Sequence, residues 1–102
     1  MSLGSFVQGH SVVANGNSLA IKPTGDEKWR IRAVYFENNG AAGDVVLIRT
    51  DGSNEIEVES SDADATGYHG IPWIASATYW WLIKNESGVS LKFAYDAVVV
   101  EV

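Results

Sequence analysis

The fold is decided by residues 79–101, which read Tyr-Trp-Trp-Leu-Ile-Lys-Asn-Glu-Ser-Gly-Val-Ser-Leu-Lys-Phe-Ala-Tyr-Asp-Ala-Val-Val-Val-Glu. Two runs of alternating residues flank a four-residue turn, Asn85–Gly88. A period of two places successive side chains on opposite faces of a β-strand. Gly88 tolerates the positive φ that closes such a turn. The stretch predicts a β-hairpin followed by a last apolar strand, with the rest of the chain packed against it. One face of the second run would carry Val89, Leu91, Phe93 and Tyr95.

The composition excludes several classes of protein. With 102 residues the chain is close to the commonest size of a single domain. It has no cysteine, which excludes a thiolate zinc site, a catalytic thiol and a redox pair. Thirteen acidic residues oppose seven basic ones, for a net charge of −6. This balance argues against nucleic acids, whose phosphates attract clustered Lys and Arg.

Neither membrane insertion nor export is expected from the sequence. No run approaches the ~18 apolar residues that a membrane helix needs. The first six residues lack the basic start and long apolar stretch of a signal peptide. We therefore expect synthesis in a cytoplasm, whatever the later destination of the protein, and no membrane partner.

The rest of the chain reads as short strands separated by turn signals. No segment of ten or more residues carries a 3.6-residue apolar period, and turns recur roughly every 8–12 residues, as in sandwiches and barrels. We predict an all-β fold, a jelly-roll-like antiparallel β-sandwich of about eight strands, with an N-terminal arm at residues 1–9 and one domain at 10–102. The Asn15-Gly16-Asn17 turn is expected to close a hairpin. The predicted strands before residue 79 are Ser11–Ala14, Ser18–Lys22, Lys28–Asn38, Asp44–Thr50, Glu55–Glu59 and an irregular or edge strand, Tyr68–Ser76, interrupted by Pro72.

The strand Lys28–Asn38 is predicted to be the longest in the chain. Its first half alternates apolar and cationic residues, and from residue 33 both faces are apolar. A second surface is therefore expected to cover its far end. One face is predicted to hold Trp29, Ile31, Ala33 and Tyr35, and the other Lys28, Arg30, Arg32 and Val34.

Acidic residues gather in the next part of the chain. Strict alternation in Glu55–Glu59 predicts that Ile56 and Val58 point inward and the three glutamates outward. Asp62 and Asp64, with Asp51, could supply oxygen ligands to Ca²⁺, but the EF-hand pattern is missing. A solvated or partner-facing acidic face is the better interpretation. If this acidic face met the cationic residues of Lys28–Asn38 across a subunit boundary, the opposite charges would fix the register and orientation of the two subunits.

Catalysis is not indicated. His10 and His69 lie in no metal-ligand spacing, and no nucleophile elbow is present. We predict structural or surface roles for both histidines, no enzymatic activity, no metal and no cofactor. Asn85-Glu86-Ser87 matches the N-glycosylation pattern, and without a secretory signal we take the match as chance.

A cluster of five aromatic residues allows three interpretations: a subunit interface, core packing, or a sugar-stacking platform. Its members are Tyr68, Trp73, Tyr79, Trp80 and Trp81. Trp80 and Trp81 are consecutive and must point to opposite faces of a strand, so one of them needs a second covering surface. The last strand is apolar on both faces and also needs cover. Both features favour an oligomer. The candidate interface residues are Phe6, Val7, Arg30, Arg32, Phe36, Trp73, Trp80, Val98 and Val100, whereas a glycan groove would use Tyr68, Trp73 and Trp80.

Four motifs of turn chemistry and strand pattern occur along the chain: an apolar strand ending in Pro, a Glu-x-Trp-x-Ile strand, a Thr-Asp-Gly-x-Asn turn and a Lys-Asn-x-Ser-Gly turn. These motifs occupy Ser18–Pro23, Glu27–Ile31, Thr50–Asn54 and Trp81–Gly88, with Ala94–Asp96 closing the pattern. In these motifs the chain, from about residue 10 onward, resembles a class of small virion proteins of tailed phages and archaeal viruses.

The resemblance implies a jelly-roll-like sandwich that trimerises and decorates or cements a capsid, or forms part of a tail or fibre. The expected partners are two further copies of the chain and a major capsid or other virion protein, with the virion as location. The class carries no catalytic residues. The alternative from another functional class is a carbohydrate-binding module or tail-fibre adhesin.

Overall fold

The computed structural model describes residues 2–70 and 73–102, and these residues form nine β-strands and no helix. Met1 of the predicted arm and Pro72 of the predicted irregular strand lie outside the described residues. The strands are β1 (Phe6–Val13), β2 (Ser18–Ile21), β3 (Lys28–Phe36), β4 (Val45–Thr50), β5 (Glu55–Ser60), β6 (Gly67–His69), β7 (Ile74–Ala75), β8 (Trp80–Asn85) and β9 (Leu91–Glu101).

The strands form two sheets in the order of a jelly roll. The first sheet runs β1-β9-β3-β6, with β7 also paired to β3, and the second runs β2-β8-β4-β5. All pairs are antiparallel. Two packed antiparallel sheets with this strand order make the double-sheet jelly roll. The predicted fold class is confirmed.

Two predicted hairpins are wrong, because their strands belong to different sheets. The Asn85–Gly88 turn leads from β8 in the second sheet to β9 in the first, and the turn at Gly16 leads from β1 to β2. A tight turn reverses the chain in either case, and long-range strand pairing decides which sheet receives the next strand. The Asp51–Asn54 turn, by contrast, closes a true hairpin between β4 and β5.

The core lies between the two sheets and is built by the alternation of β8 and β9. Trp81 and Ile83 point inward from β8. Leu91, Phe93 and Tyr95, which the sequence pattern places on one face, point inward from β9. Val89 precedes β9 and is exposed. Each large apolar side chain buried in such a core stabilises the fold by about 1.5–3 kcal/mol. The other buried members of the core are Val13, Ile21, Trp29, Ile31, Val34, Phe36, Val45, Leu47, Ala75, Ala97 and Val99.

The predicted N-terminal arm is largely part of the sandwich. Phe6 pairs with Val98 and Val13 with Leu91, so residues 6–9 are the first half of β1. The pairing continues beyond β1, where the amide of Gly4 donates to the carbonyl of Val99 at 2.8 Å. The eleven-residue β9 needs hydrogen-bonding partners on both sides, and β1 supplies one of them. The first described residues therefore dock on their own subunit.

A β-bulge in β3 overturns the predicted face of half that strand. Ile31 pairs with Ala97 and Ala33 with Asp96, which leaves Arg32 as an extra residue. A bulge shifts the alternation by one. Trp29 and Ile31 point inward as predicted. Beyond the bulge Val34 and Phe36 point inward, and Ala33 and Tyr35 point outward.

The strand β5 also departs from its predicted pattern. All six of its residues are exposed, and Ile56 retains 63% of its accessible surface. β5 is an edge strand, and the edge of the first sheet beyond β3 holds only the three-residue β6 and the two-residue β7, which are too short to cover it. Glu57 pairs with Ile48, and Glu59 pairs with the adjacent residue Leu47. The register of β5 therefore shifts by one residue between the two glutamates. The three glutamates therefore do not share one face.

Asn85 joins the loops at one end of the sandwich. Its side chain is fully buried, and its amide nitrogen donates to the carbonyls of Val13 at 2.8 Å and Val89 at 2.7 Å. Its side-chain oxygen accepts from the amide and the hydroxyl of Ser87. Both amide hydrogens are thus used inside the protein. In the folded chain this nitrogen is inaccessible to glycosylation.

Candidate interaction surface on the first sheet

The first sheet presents an outer face with a row of exposed side chains. Phe6 pairs with Val98, Val98 with Arg30, and Arg30 with Ile74, so these four residues form one row across β1, β9, β3 and β7. Phe6 is 68% exposed, Ile74 is exposed, and Val98 is half-buried. An apolar row of this kind on a sheet face is typical of a surface that contacts another molecule. We call it the exposed row.

The bulge places two arginines on this outer face. Arg30 stands in the exposed row, and the extra residue Arg32 reaches across β9, with its guanidinium carbon 5.4 Å from the centre of the Phe6 ring. This is cation–π distance. Neither guanidinium forms a salt bridge with a described residue. Both cations are therefore available to an anionic partner.

Tyr35 stands at the centre of the same face. Its hydroxyl donates to Asp96 at 3.3 Å, and its ring packs edge-on against His69 with the ring centres 5.3 Å apart. Desolvation, followed by the charge of Asp96, raises the pKa of Tyr35 above its usual range. The hydroxyl therefore stays protonated at neutral pH and can keep donating to the carboxylate.

Two shallow depressions flank Tyr35. One, of about 480 Å³, is lined mainly by polar groups, including Arg30, Arg32, His69 and Asp96. The other, of about 440 Å³, is mostly apolar and is lined by His10, Val12, Phe36, Lys92 and Ala94 among others. The outer face is thus uneven, with a charged half and an apolar half on either side of one aromatic ring.

Five of the nine predicted interface residues lie on or beside this face: Phe6, Arg30, Arg32, Val98 and Val100. Val7 points inward and packs against the core. Phe36 is only 4% exposed, because the bulge turns it into the core, and it leaves the candidate set. Sequence reasoning missed Ile74, whose strand has only two residues, and Tyr35, which the unbulged pattern assigns to the opposite face.

The aromatic residues proposed for a glycan groove do not share a surface. Trp73 stacks on Trp81 with the ring centres 4.2 Å apart and an angle of 7° between the planes. Trp80 lies on the outer face of the second sheet, where Lys22 Nζ sits 3.9 Å from its ring centre. Tyr68 packs against Phe36. Among the described residues, Tyr68, Trp73 and Trp80 thus have separate surroundings and do not form one platform.

The strand β5 forms an acidic edge on the second sheet. Glu55, Glu57 and Glu59 are exposed and make no salt bridge with a described residue. Exposed Ile56 and Val58 lie between them. The strand pairs on one side with β4, and no strand among the described residues pairs with its other side. We call β5 the acidic edge.

The aspartates considered as calcium ligands have other surroundings. Asp51 accepts hydrogen bonds from the amides of Ser53 at 2.9 Å and Asn54 at 2.7 Å, and these bonds lower the pKa of its carboxyl below the usual range. Within residues 2–70 and 73–102, no three His, Asp or Glu side chains are grouped so that they could hold a metal ion. Asp51, Asp62 and Asp64 therefore do not form such a group.

The described part of the chain contains no helix that is long and apolar enough to cross a membrane. A comparison of the chain with protein-family models and with curated proteins finds no match.

Proposed function

We propose that this chain is a non-enzymatic structural protein that forms a homotrimer and decorates or cements a virion shell. The observation that carries the proposal is the exposed row on the outer face of the first sheet. Phe6 and Ile74 are two large apolar side chains left in water by the isolated subunit. An exposed apolar surface on a sheet face is typical of a site that contacts another protein.

Three further observations support this proposal. The jelly-roll strand order is one that viral capsid domains use, although the fold alone does not fix a function. The acidic edge offers a second uncovered surface with exposed Ile56 and Val58. The motifs shared with small virion proteins point to the same location. A major capsid or other virion protein would be the partner outside the trimer.

The proposed function does not involve catalysis. A histidine acts as a general base when it is hydrogen-bonded to a nucleophile or substrate. His69 contacts the ring of Tyr35, and neither His69 nor His10 is hydrogen-bonded to a described side chain. The outer face is thus better suited to binding than to chemistry.

The first test is the mass in solution. We expect light scattering to give about three times the 11.0 kDa of one chain. A melt followed by tryptophan fluorescence should shift to higher temperature as the protein concentration rises, because assembly stabilises the folded state by mass action. A monomer whose melting temperature does not change with concentration would overturn the trimer.

The second test concerns the virion. Mass spectrometry of purified particles should detect the chain, and its gene should lie beside genes for capsid, portal or tail proteins. Particles that lack the chain, from a genome that encodes it, would contradict a structural role in the virion.

One observation favours the alternative, a carbohydrate-binding module or adhesin. The ring of Tyr35 is exposed between two depressions that carry His10, His69 and Asp96, and jelly rolls also build lectin domains. In that case Tyr35→Ala should abolish binding in a glycan screen without changing the melting temperature. An unchanged glycan profile would remove this alternative.

A further inference from the structure

We propose that the contact between subunits is heterologous: the acidic edge of one copy docks on the arginine-bearing outer face of the next. The inference rests on the proposed homotrimer and specifies which surfaces meet in it. Contacts between two different surfaces form closed rings when the rotation between copies closes. A three-membered ring would use every acidic edge and every outer face once.

Charge complementarity is the first argument. The acidic edge exposes Glu55, Glu57 and Glu59, and the outer face exposes Arg30 and Arg32. None of these five residues forms a salt bridge with a described residue. Opposite charges on two uncovered surfaces of one chain favour one orientation of approach and oppose the like-charged pairings of face with face or edge with edge.

Apolar complementarity is the second argument. Ile56 and Val58 are exposed on the acidic edge, and Phe6 and Ile74 are exposed on the outer face. Interfaces combine an apolar centre with a charged rim. Ile56 pairs with Arg49 and Glu59 with Leu47, so Ile56 and Glu59 share one face of β5. When that face lies on the outer face of the next copy, Ile56 can pack on the exposed row while Glu59 reaches the arginines.

The dimensions of the two surfaces also agree. The exposed row crosses four strands, or three spacings of about 4.8 Å, which gives roughly 14 Å. The acidic edge has six residues, and five rises of about 3.3 Å give roughly 17 Å. One β5 strand can therefore span the exposed row from Phe6 to Ile74.

Charge reversal tests the pairing. The face-reversed variant carries Arg30→Glu and Arg32→Glu, and the edge-reversed variant carries Glu57→Lys and Glu59→Lys. In each variant the contact joins like charges, and we expect trimer dissociation at concentrations at least ~100-fold higher than for the wild type. The variant with all four changes should regain the trimer, because its surfaces are again complementary.

The control for net charge is Asp62→Lys with Asp64→Lys. Both residues are exposed and lie outside β5, and the change in net charge equals that of the edge-reversed variant. We expect this control to remain trimeric. If it dissociates as readily as the edge-reversed variant, net charge rather than the acidic edge governs assembly, and the inference is overturned.

Mixing gives a sharper test of heterologous contact. A face-reversed subunit accepts an edge-reversed neighbour on either side, but neither variant accepts its own kind. In an equimolar mixture the two variants must therefore alternate from one subunit to the next. They cannot alternate around a ring of three subunits. We expect light scattering to show species with even numbers of subunits and no trimer; recovery of trimers from the mixture would contradict the proposed contact.

The outcomes separate this inference from the proposed function. A wild type that stays monomeric overturns the trimer itself. A trimeric wild type whose face-reversed and edge-reversed variants also stay trimeric leaves the trimer standing and overturns this contact. Failure of the fourfold variant to reassemble, with a melting profile that shows it folded, also overturns the contact.

Discussion

Replacing Asn85 with aspartate should lower the free energy of unfolding by about 3–5 kcal/mol. The amide nitrogen of Asn85 donates to the carbonyls of Val13 and Val89, and the side chain is fully buried. Aspartate has the same shape but puts an acceptor where both hydrogens were. The carbonyls of Val13 and Val89 both lose the Asn85 donor, and a buried carboxylate is left facing them.

The measurement is urea unfolding of Asn85→Asp beside Asn17→Asp at pH 7 and pH 3. Asn17 is exposed in the adjoining loop, so the same chemical change there should cost less than about 0.5 kcal/mol. At pH 3 the new carboxyl of Asn85→Asp is protonated and regains one donor, so part of the loss should be recovered. Equal stability of the two variants at pH 7 would show that the Asn85 hydrogen bonds are not needed.

Replacing Trp81 with alanine should cost about 3–5 kcal/mol, because it opens a large cavity between the sheets. Trp81 is 6% exposed, its ring stacks on Trp73, and its indole nitrogen donates to the carbonyl of Ile74 at 3.1 Å. The loss therefore includes area burial, ring stacking and a hydrogen bond that holds β7 in place.

The neighbouring Trp80→Ala is the matched control. Trp80 is half-buried on the opposite side of the same strand, where it contacts Lys22 and the Gly52 turn, and its loss should cost only about 1–2 kcal/mol. Urea unfolding of both variants checks the difference. A cost at Trp80 equal to or greater than that at Trp81 would contradict the assignment of their faces.

The same alternation explains how much of the fold could be predicted. A period of two correctly places Trp80 and Trp81 on opposite faces of β8, and Phe93 and Tyr95 on one face of β9. It cannot reveal that β8 and β9 belong to different sheets. The Asn85–Gly88 turn has the same chemistry in a hairpin as in a connection between sheets, and strand pairing depends on residues far away in the sequence.

The candidate surface is only partly predictable, because the pattern is broken at Arg32. Before that residue, alternation predicts the inward positions of Trp29 and Ile31. After it, every assignment is reversed, and so alternation places Tyr35 inside and Phe36 at an interface. The sequence signal is present as an apolar run from residue 33 to residue 36, but such a run fits a covered strand as well as a bulged one.

The bulge at Arg32 also has a mechanical consequence. Two plain antiparallel strands can slide past each other by two residues and keep every side chain on its own side. β3 cannot slide in this way against β9. Its extra residue would then face a different part of β9, and the two halves of the β3–β9 ladder could not both stay paired. The bulge thus locks the register of β3 against β9. It fixes the spacing between Arg30 and Val98 against slippage, so the outer face meets any partner as a rigid template.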